Sequence, residues 1–581
     1  MKTKHPHTIL RCLGAAVSAC AVTACSTSGS LQNAPAAALS PAQGGVLTRC
    51  ADLPEKFAFD NTRINSAETV AEGAVKQGDR LLPAHCLIKG RMAERKGSDG
   101  RDYAIGFEMR LPLAWNGRFY YQGNGGLDGA VLPALGALGG GPLTGALMQG
   151  FAVISSDAGH SGAQTPVFGA EPQARLDYGY QAVAKLTPMA KQLILSAYGK
   201  APDRSYIGGC SNGGRHTMVA ASRQGEQYDG YLIGAPGYRL PYAALAQVWG
   251  VQKWSPLATP GATIPNPMDA KATIPDLGSA LTLAERQTLA ERILQKCDAL
   301  DGAQDGLIQA TQACQAQFDV ARDVPTCTEK RDGSCLTAAQ KTVVAAVYAG
   351  VRARSGEAFY SPFPWDAGIV GADWAKWKFV NSIQRDPLAA GMVFSVPPEQ
   401  IDPFKTDIDT LLARVRATDK TYRESGISLM LPPQQEYPVN LDMLRARGTK
   451  MILYHGVSDA VFSAEDTRQW YERLDKALGG KAASFARFFP VPGMNHCSGG
   501  PAADQFDLLT ALVAWVEHGE APQAVTAGVR GTDNAGGANP EIPAGWPATR
   551  TRPLCAYPSI ARYNGSGSLE DAANFTCRQN E

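Results

Sequence analysis

Short apolar runs alternate with longer amphipathic stretches along most of the chain. Residues 118–121 (Arg-Phe-Tyr-Tyr), 151–155 (Phe-Ala-Val-Ile-Ser), 206–207 (Tyr-Ile), 450–454 (Lys-Met-Ile-Leu-Tyr) and 485–491 read as buried strands. Between them, 174–198 reads as a helix that stops at Gly199, as glycine does past a helix end. Residues 215–222 and 505–518 read as two more helices, the second burying Phe506, Leu509, Leu512, Val513 and Val516. Strands alternating with helices predict a parallel, doubly wound sheet. Apolar segments in 50–110 are expected to add peripheral strands.

From about 240 to 445 the pattern changes. Prolines and tryptophans cluster (Trp249, Trp254, Trp365, Trp374, Trp377) and turn signals are dense. We read 240–445 as a lid inserted between two parts of one sheet domain, 46–239 and 446–581.

Candidate chemistry lies at the strand ends. Gly209-Cys210-Ser211-Asn212-Gly213 is a G-x-S-x-G, the nucleophile elbow of α/β-hydrolases. An apolar strand must deliver the serine, small flanking residues must permit the sharp turn, and a helix must start at once so that its amides face a developing oxyanion. Alone the pattern is weak in so glycine-rich a chain. Gln122-Gly-Asn-Gly-Gly126, a Gly-rich loop after an early strand, suits a second oxyanion-binding amide. Asp459 and His496 follow later strands, which completes the order Ser, Asp, His of α/β-hydrolases. No other histidine outside the leader has that order and a cysteine beside it.

Composition narrows the setting. Lys2, Lys4 and Arg11 precede a short apolar stretch ending at Ala24, which reads as an export signal (1–25) too short to span a membrane. Val22-Thr-Ala-Cys25 resembles a lipobox, so Cys25 is a possible lipid anchor. Residues 26–45 read as a flexible tether. An exported protein is expected, in the periplasm, anchored to the outer membrane or secreted. The formal charge is +1, and loss of the three leader cations leaves 52 basic against 54 acidic residues, near −2. Nothing in that balance points to nucleic acid; a monomer acting on a small molecule is expected, without an organic cofactor.

Ten of the 13 cysteines lie outside the leader, an even number that suits an oxidising compartment. Nearness in sequence pairs Cys50 with Cys86, Cys297 with Cys314, Cys327 with Cys335 and Cys555 with Cys577. Cys210 and Cys497 are then left, beside Ser211 and His496. Sequence alone does not fix this connectivity. In the lid, Asp298, Asp301 and Asp305 lie three and four apart among glycines. With the carbonyls of Ala303 and Leu307 they suit a hard cation such as Ca2+ in a structural role, although the spacing is not that of an EF-hand.

Together these residues resemble the tannase and feruloyl esterase family. The Cys210-Ser211 elbow, His455-Gly-Val-Ser-Asp459 and the His496-Cys497 pair match its motifs. The resemblance covers nearly the whole mature chain. It implies an α/β-hydrolase fold with a large inserted lid, the five bridges above and the calcium loop. It also implies a Ser211–His496–Asp459 triad with the amides of Gly126 and Asn212 as oxyanion hole. Leu240 and Phe462 would line the acyl pocket and Phe394 would close it from the lid. Arg385, matched across a gap, would bind a free carboxylate on the acyl group. The expected substrate is an ester of an aromatic acid, a terephthalate half-ester or else a plant phenolic ester of gallate or ferulate type. A different class remains open: a non-catalytic surface lipoprotein that binds aromatic ligands.

Overall fold

Nine strands make the central sheet of the computed structural model, which describes residues 39–136, 141, 143–430 and 441–579. The export signal, the lipobox-like Cys25 and most of the tether lie outside the described residues, as do 431–440 of the lid. In chain order the strands are β1 (Thr62–Val70), β2 (His85–Lys96), β3 (Asp102–Pro112), β4 (Arg118–Gly123) and β5 (Ala152–Ser156). Then come β6 (Arg204–Cys210), β7 (Gly230–Gly234), β8 (Lys450–Gly456) and β9 (Ala486–Val491). Their spatial order is β9-β8-β7-β6-β4-β5-β3-β2-β1. From β9 to β5 all neighbours are parallel, and β3, β2 and β1 add an antiparallel edge.

Alternation along the strands builds two cores. Tyr121, Ile154, Ile207, Ile233 and Leu453 point into one apolar cluster, and Tyr120, Val153, Tyr206, Leu232 and Ile452 into the other. The two-residue period of a strand sends successive side chains to opposite faces, so runs that are apolar throughout must be covered on both. Helix α1 (Ala182–Tyr198) packs on the first face, and the helix Leu508–His518 on the second. Gly199 ends α1 with φ 73°, the left-handed conformation that glycine adopts without strain.

The chain leaves the sheet after β7 and returns as β8, its direct parallel neighbour. Among the described residues between them, none joins the main sheet. This segment starts with α3 (Leu240–Trp254), almost wholly buried, so its apolar surface is shared by sheet and lid. Further along, capping boxes start the helices Leu283–Cys297 (Thr282 with Glu285) and Ala338–Tyr348 (Thr337 with Gln340). Five disulfides are formed: Cys50–Cys86, Cys210–Cys497, Cys297–Cys314, Cys327–Cys335 and Cys555–Cys577.

Helix α2 (Asn212–Arg223) follows β6 after the single residue Ser211 and meets the sheet at glycine contacts. A Cβ on Gly213 would run into the carbonyl of Gly123, and one on Gly214 into the carbonyl of Gly234. Backbone cannot yield there as a flexible side chain would. Gly213→Ala is therefore expected to destabilise the protein by about 1–3 kcal/mol in a denaturant titration. An unchanged midpoint would contradict this close approach.

Candidate active site

Ser211 stands between β6 and α2 with φ 65° and ψ −126°. This positive φ is unusual for a residue with a side chain, and such strain clusters at functional sites. The serine amide donates to Gly234 O at 3.0 Å and its carbonyl accepts from Arg215 N at 3.0 Å, so strand and helix both hold the bend. Cys497, after β9, has φ 66°. Its bridge to Cys210, with Cα atoms 6.0 Å apart, ties the two bent backbones together.

His496 Nε2 lies 2.8 Å from Ser211 Oγ, and His496 Nδ1 lies 2.6 Å from Asp459 Oδ2. Facing a carboxylate, Nδ1 carries the proton, which leaves Nε2 free to accept from the serine hydroxyl. Asp459 Oδ1 accepts the amides of Val461 and Phe462, each at 2.9 Å. Asp459 is fully buried, and burial opposes its ionisation. The adjacent His496 and the hydrogen bonds from His455 and His496 outweigh that and hold its pKa well below the usual carboxylate range. An ionised Asp459 can both fix the imidazole tautomer and stabilise an imidazolium.

Gly126, Leu127, Asn212, Leu240 and Phe462 line one pocket with Ser211, together with Trp377, Arg385 and Asp386 from the lid. Two rings meet His496 edge-on: Trp377 with centroids 5.1 Å away and Phe462 at 5.2 Å. Arg385 packs over Trp377, 5.4 Å from the ring centroid. A Cβ built on Gly126 would lie only 2.5 Å from Arg385 Nη2, so the guanidinium rests against that glycine. The space left is about 20 Å³, enough for a water and not for an aromatic ring. On its other side Ser211 borders a cavity of about 610 Å³ whose wall includes Asn124, Ser498 and Asn534.

Phe394 is a correction. It is fully buried and does not line the pocket. It ends a π-helical turn, Ala389–Phe394, whose backbone there lies against Gly426, and its carbonyl accepts from Arg175. Trp377 holds the position over His496 instead.

Several neighbours were not legible in the sequence. His455 contacts Asp459 Oδ2 at 3.2 Å and Phe462 O at 2.9 Å through Nε2, so that nitrogen is the protonated one. Its place in His455-Gly-Val-Ser-Asp459, four residues before the acid, was the available signal. Asp366 of the lid, by contrast, carried none. Its carboxylate accepts from Ser458 Oγ at 2.6 Å and Gly493 N at 3.1 Å, so one lid residue braces the loops of both Asp459 and His496. Behind the pocket, the Asn212 side chain is clamped by Asp128, Arg215 and Tyr178. His216, at hydrogen-bond distance from Asp128, completes this cluster behind Ser211.

In the aspartate-rich loop, Asp298 accepts amides of residues 305 and 306, and Asp301 those of 303 and 309. Asp305 turns its carboxylate to Arg552, 2.5 Å away. Among the described residues no three His, Cys, Asp or Glu side chains are grouped so as to hold a metal ion. The donor chemistry of Asp298 and Asp301 nevertheless fits a hard cation. Burial, then the neighbouring carboxylates, push Asp301 up to about 7, and burial likewise raises Asp298. Carboxyls in such a place favour neutralisation by a proton or a cation.

The sheet, the elbow and the sequence order of its partners define the α/β-hydrolase class, and the chain's relatives make it a carboxylic ester hydrolase. More narrowly, the chain belongs to the tannase and feruloyl esterase family, whose model matches residues 90–578. It is 40% identical over 537 residues to a mono(2-hydroxyethyl) terephthalate hydrolase of Piscinibacter sakaiensis, covering 85% of each chain. To a probable feruloyl esterase B of Emericella nidulans it is 28% identical over 573 residues, covering 91% of this chain and 94% of the other. The crystal structure of feruloyl esterase B from Aspergillus oryzae shares the fold, with a TM-score of 0.71, 23% identity, and 91% and 99% of the two chains covered.

The inter-loop bridge yields a prediction. Replacing Cys210 and Cys497 together by alanine should cost about 2–5 kcal/mol of stability. It should also lower kcat on an aryl ester, because the serine and imidazole lose their common anchor. Removing Cys327 and Cys335, which line neither cavity at Ser211, should leave kcat alone. Equal kcat in the two double variants would contradict the anchoring role.

Proposed function

We propose that the protein is an exported serine esterase that hydrolyses esters of aromatic acids through Ser211, His496 and Asp459. Its preferred substrate in this reading is a terephthalate half-ester, mono(2-hydroxyethyl) terephthalate, cleaved to terephthalate and ethylene glycol. The observation that carries the proposal is the unbroken hydrogen-bond relay from Ser211 Oγ through His496 to Asp459, at the wall of a pocket that also presents Arg385. The 40% identity to a terephthalate half-ester hydrolase supports the choice of substrate. Five disulfides are consistent with export.

In the first half-reaction His496 Nε2 takes the proton of Ser211 as Oγ attacks the ester carbonyl carbon. The carbonyl oxygen becomes an oxyanion, which the amides of Gly126 and Asn212 stabilise. Each such donor is worth roughly 2.7–4 kcal/mol. Collapse expels the alcohol, which receives the proton from His496 and leaves through the larger cavity. Water, deprotonated by the same imidazole, then attacks the acyl-enzyme and releases the aromatic acid. Arg385 pairs the free carboxylate of the acyl group. Since the guanidinium fills the pocket, substrate entry requires it to swing away from Gly126.

Ser211→Ala and His496→Ala should each lower kcat by several orders of magnitude, and Asp459→Asn by about 10⁴. Near wild-type turnover in any of the three would sink the assignment. Steady-state rates on mono(2-hydroxyethyl) terephthalate, methyl gallate and methyl ferulate, with Ser211→Ala as blank, test the acyl group. The half-ester should lead, and Arg385→Ala should raise its KM most. A lead by gallate or ferulate would keep the relay and move the function to plant phenolics.

We also propose that Asp298 and Asp301, with the carbonyls of Ala303 and Leu307, hold a structural Ca2+, Asp305 joining if Arg552 releases it. The pH dependence has a definite sign. Asp301 sits at about 7 in the folded chain and about 3.9 in the unfolded one. Without metal its contribution to stability is full below about pH 4 and is lost as pH rises towards 7. Calcium replaces the proton, so the gap in Tm between calcium and chelator should widen from about pH 5 to about pH 8. No gap at any pH would contradict the calcium site.

A further inference from the structure

Asp386 is the one polar group on the wall of the acyl pocket with no partner and no role so far. It follows Arg385 in the short helix Arg385–Leu388 and lines the same pocket as Ser211, Asn212 and Phe462. It is only 6% exposed, and its buried Oδ2 has no hydrogen-bond partner. No ion pair joins it to Arg385, whose guanidinium lies over Trp377 instead. A buried carboxyl left unpaired is unfavourable and calls for an explanation. On a pocket wall, the explanation at hand is that its partner arrives with the substrate.

Its surroundings decide which partner. Burial pushes the Asp386 carboxyl up to about 7, against the opposing pull of Arg385 beside it, Lys378 on the helix Ala372–Phe379 and His496 after β9. Lys378 is itself buried, which lowers it to about 7, so its countercharge is weak. Through much of the neutral range Asp386 is therefore a carboxylic acid with an O–H to donate. A guanidinium and a carboxylic acid on the wall of one pocket offer two sets of donors to an anionic oxygen pair on the far substituent of an aromatic acyl group. The ionised form of Asp386 would instead repel that group.

We propose that Asp386 is a second specificity-determining residue of the acyl pocket, donating a hydrogen bond as a carboxylic acid to the free carboxylate that Arg385 pairs. This inference rests on the reading of Ser211 and Arg385 given above. It makes discrimination for carboxylate-bearing acyl groups pH-dependent, and it makes Arg385 alone an incomplete recognition device.

The test compares two esters on the full chain: mono(2-hydroxyethyl) terephthalate and 2-hydroxyethyl benzoate, which lacks the second carboxylate. Both use the same serine, imidazole and leaving alcohol, so what the two reactions share cancels in the ratio of their kcat/KM values. From about pH 6 to about pH 8.5 the wild-type ratio should fall, approaching tenfold per pH unit beyond the Asp386 transition. Asp386→Asn keeps a donor and cannot ionise, so its ratio should be flat. A flat wild-type ratio, or the same fall in Asp386→Asn, would overturn the proposal. So would KM for methyl 4-hydroxybenzoate falling with pH as the half-ester ratio holds, because Asp386 would then serve as a phenol acceptor.

Should Asp386→Asn fail to fold, competitive inhibition of the wild type by terephthalate relative to benzoate gives the same reading. The Ki ratio must move against terephthalate as pH rises, and constancy overturns the proposal. Turnover of both esters by Ser211→Ala would defeat the functional reading itself. An inactive Ser211→Ala with a flat wild-type ratio would defeat only the role of Asp386.

Discussion

Ser211 holds a backbone conformation that a residue with a side chain avoids, at a cost of about 1–3 kcal/mol, and Cys497 does the same next to His496. The Cys210–Cys497 bond joins these two bends across 287 residues of sequence. Much else in the molecule is arranged to permit or repeat that connection. Glycines at 209, 213 and 123 let helix and strands meet backbone to backbone beneath the serine. Asp366 reaches from the lid to brace the loops of Asp459 and His496, so the relay is pinned by a covalent bond on one side and a buried carboxylate on the other.

The lid therefore does two kinds of work. Its inner helices complete the core over one face of the sheet, which makes the lid part of the folded unit. Its helices Ala372–Phe379 and Arg385–Leu388 bring Trp377 to the imidazole and put Arg385 and Asp386 on the pocket wall. The sheet side of the pocket supplies chemistry common to esterases, and the lid side supplies charge and proton donors. If Arg385 and Asp386 recognise the acyl group as proposed, acyl preference can change on the inserted segment without disturbing Ser211, His496 or Asp459.

How much of this the sequence revealed follows from physical range. Strands announced themselves because apolar runs at strand length have few other readings, and the elbow because its geometry demands small residues at fixed positions. The Asp459 and His496 loops were found by order along the chain and by the cysteine beside the histidine. Contacts made across the fold left no local trace. Asp366 is an unremarkable aspartate in a turn-rich segment until Ser458 and Gly493 come to it. Phe394 was placed by the family resemblance alone, which carries no information on where a lid side chain packs; it lies at the end of a π-helical turn and is buried off the pocket wall. Trp377 was seen only as one of a tryptophan cluster.

Covalent labelling with a fluorophosphonate, followed by peptide mapping, tests the central claim most directly. The account predicts a single phosphonyl adduct on Ser211, formed rapidly in the wild type and very slowly in His496→Ala, with Asp459→Asn also impaired. An adduct on another serine, or labelling at the wild-type rate without His496, would contradict it.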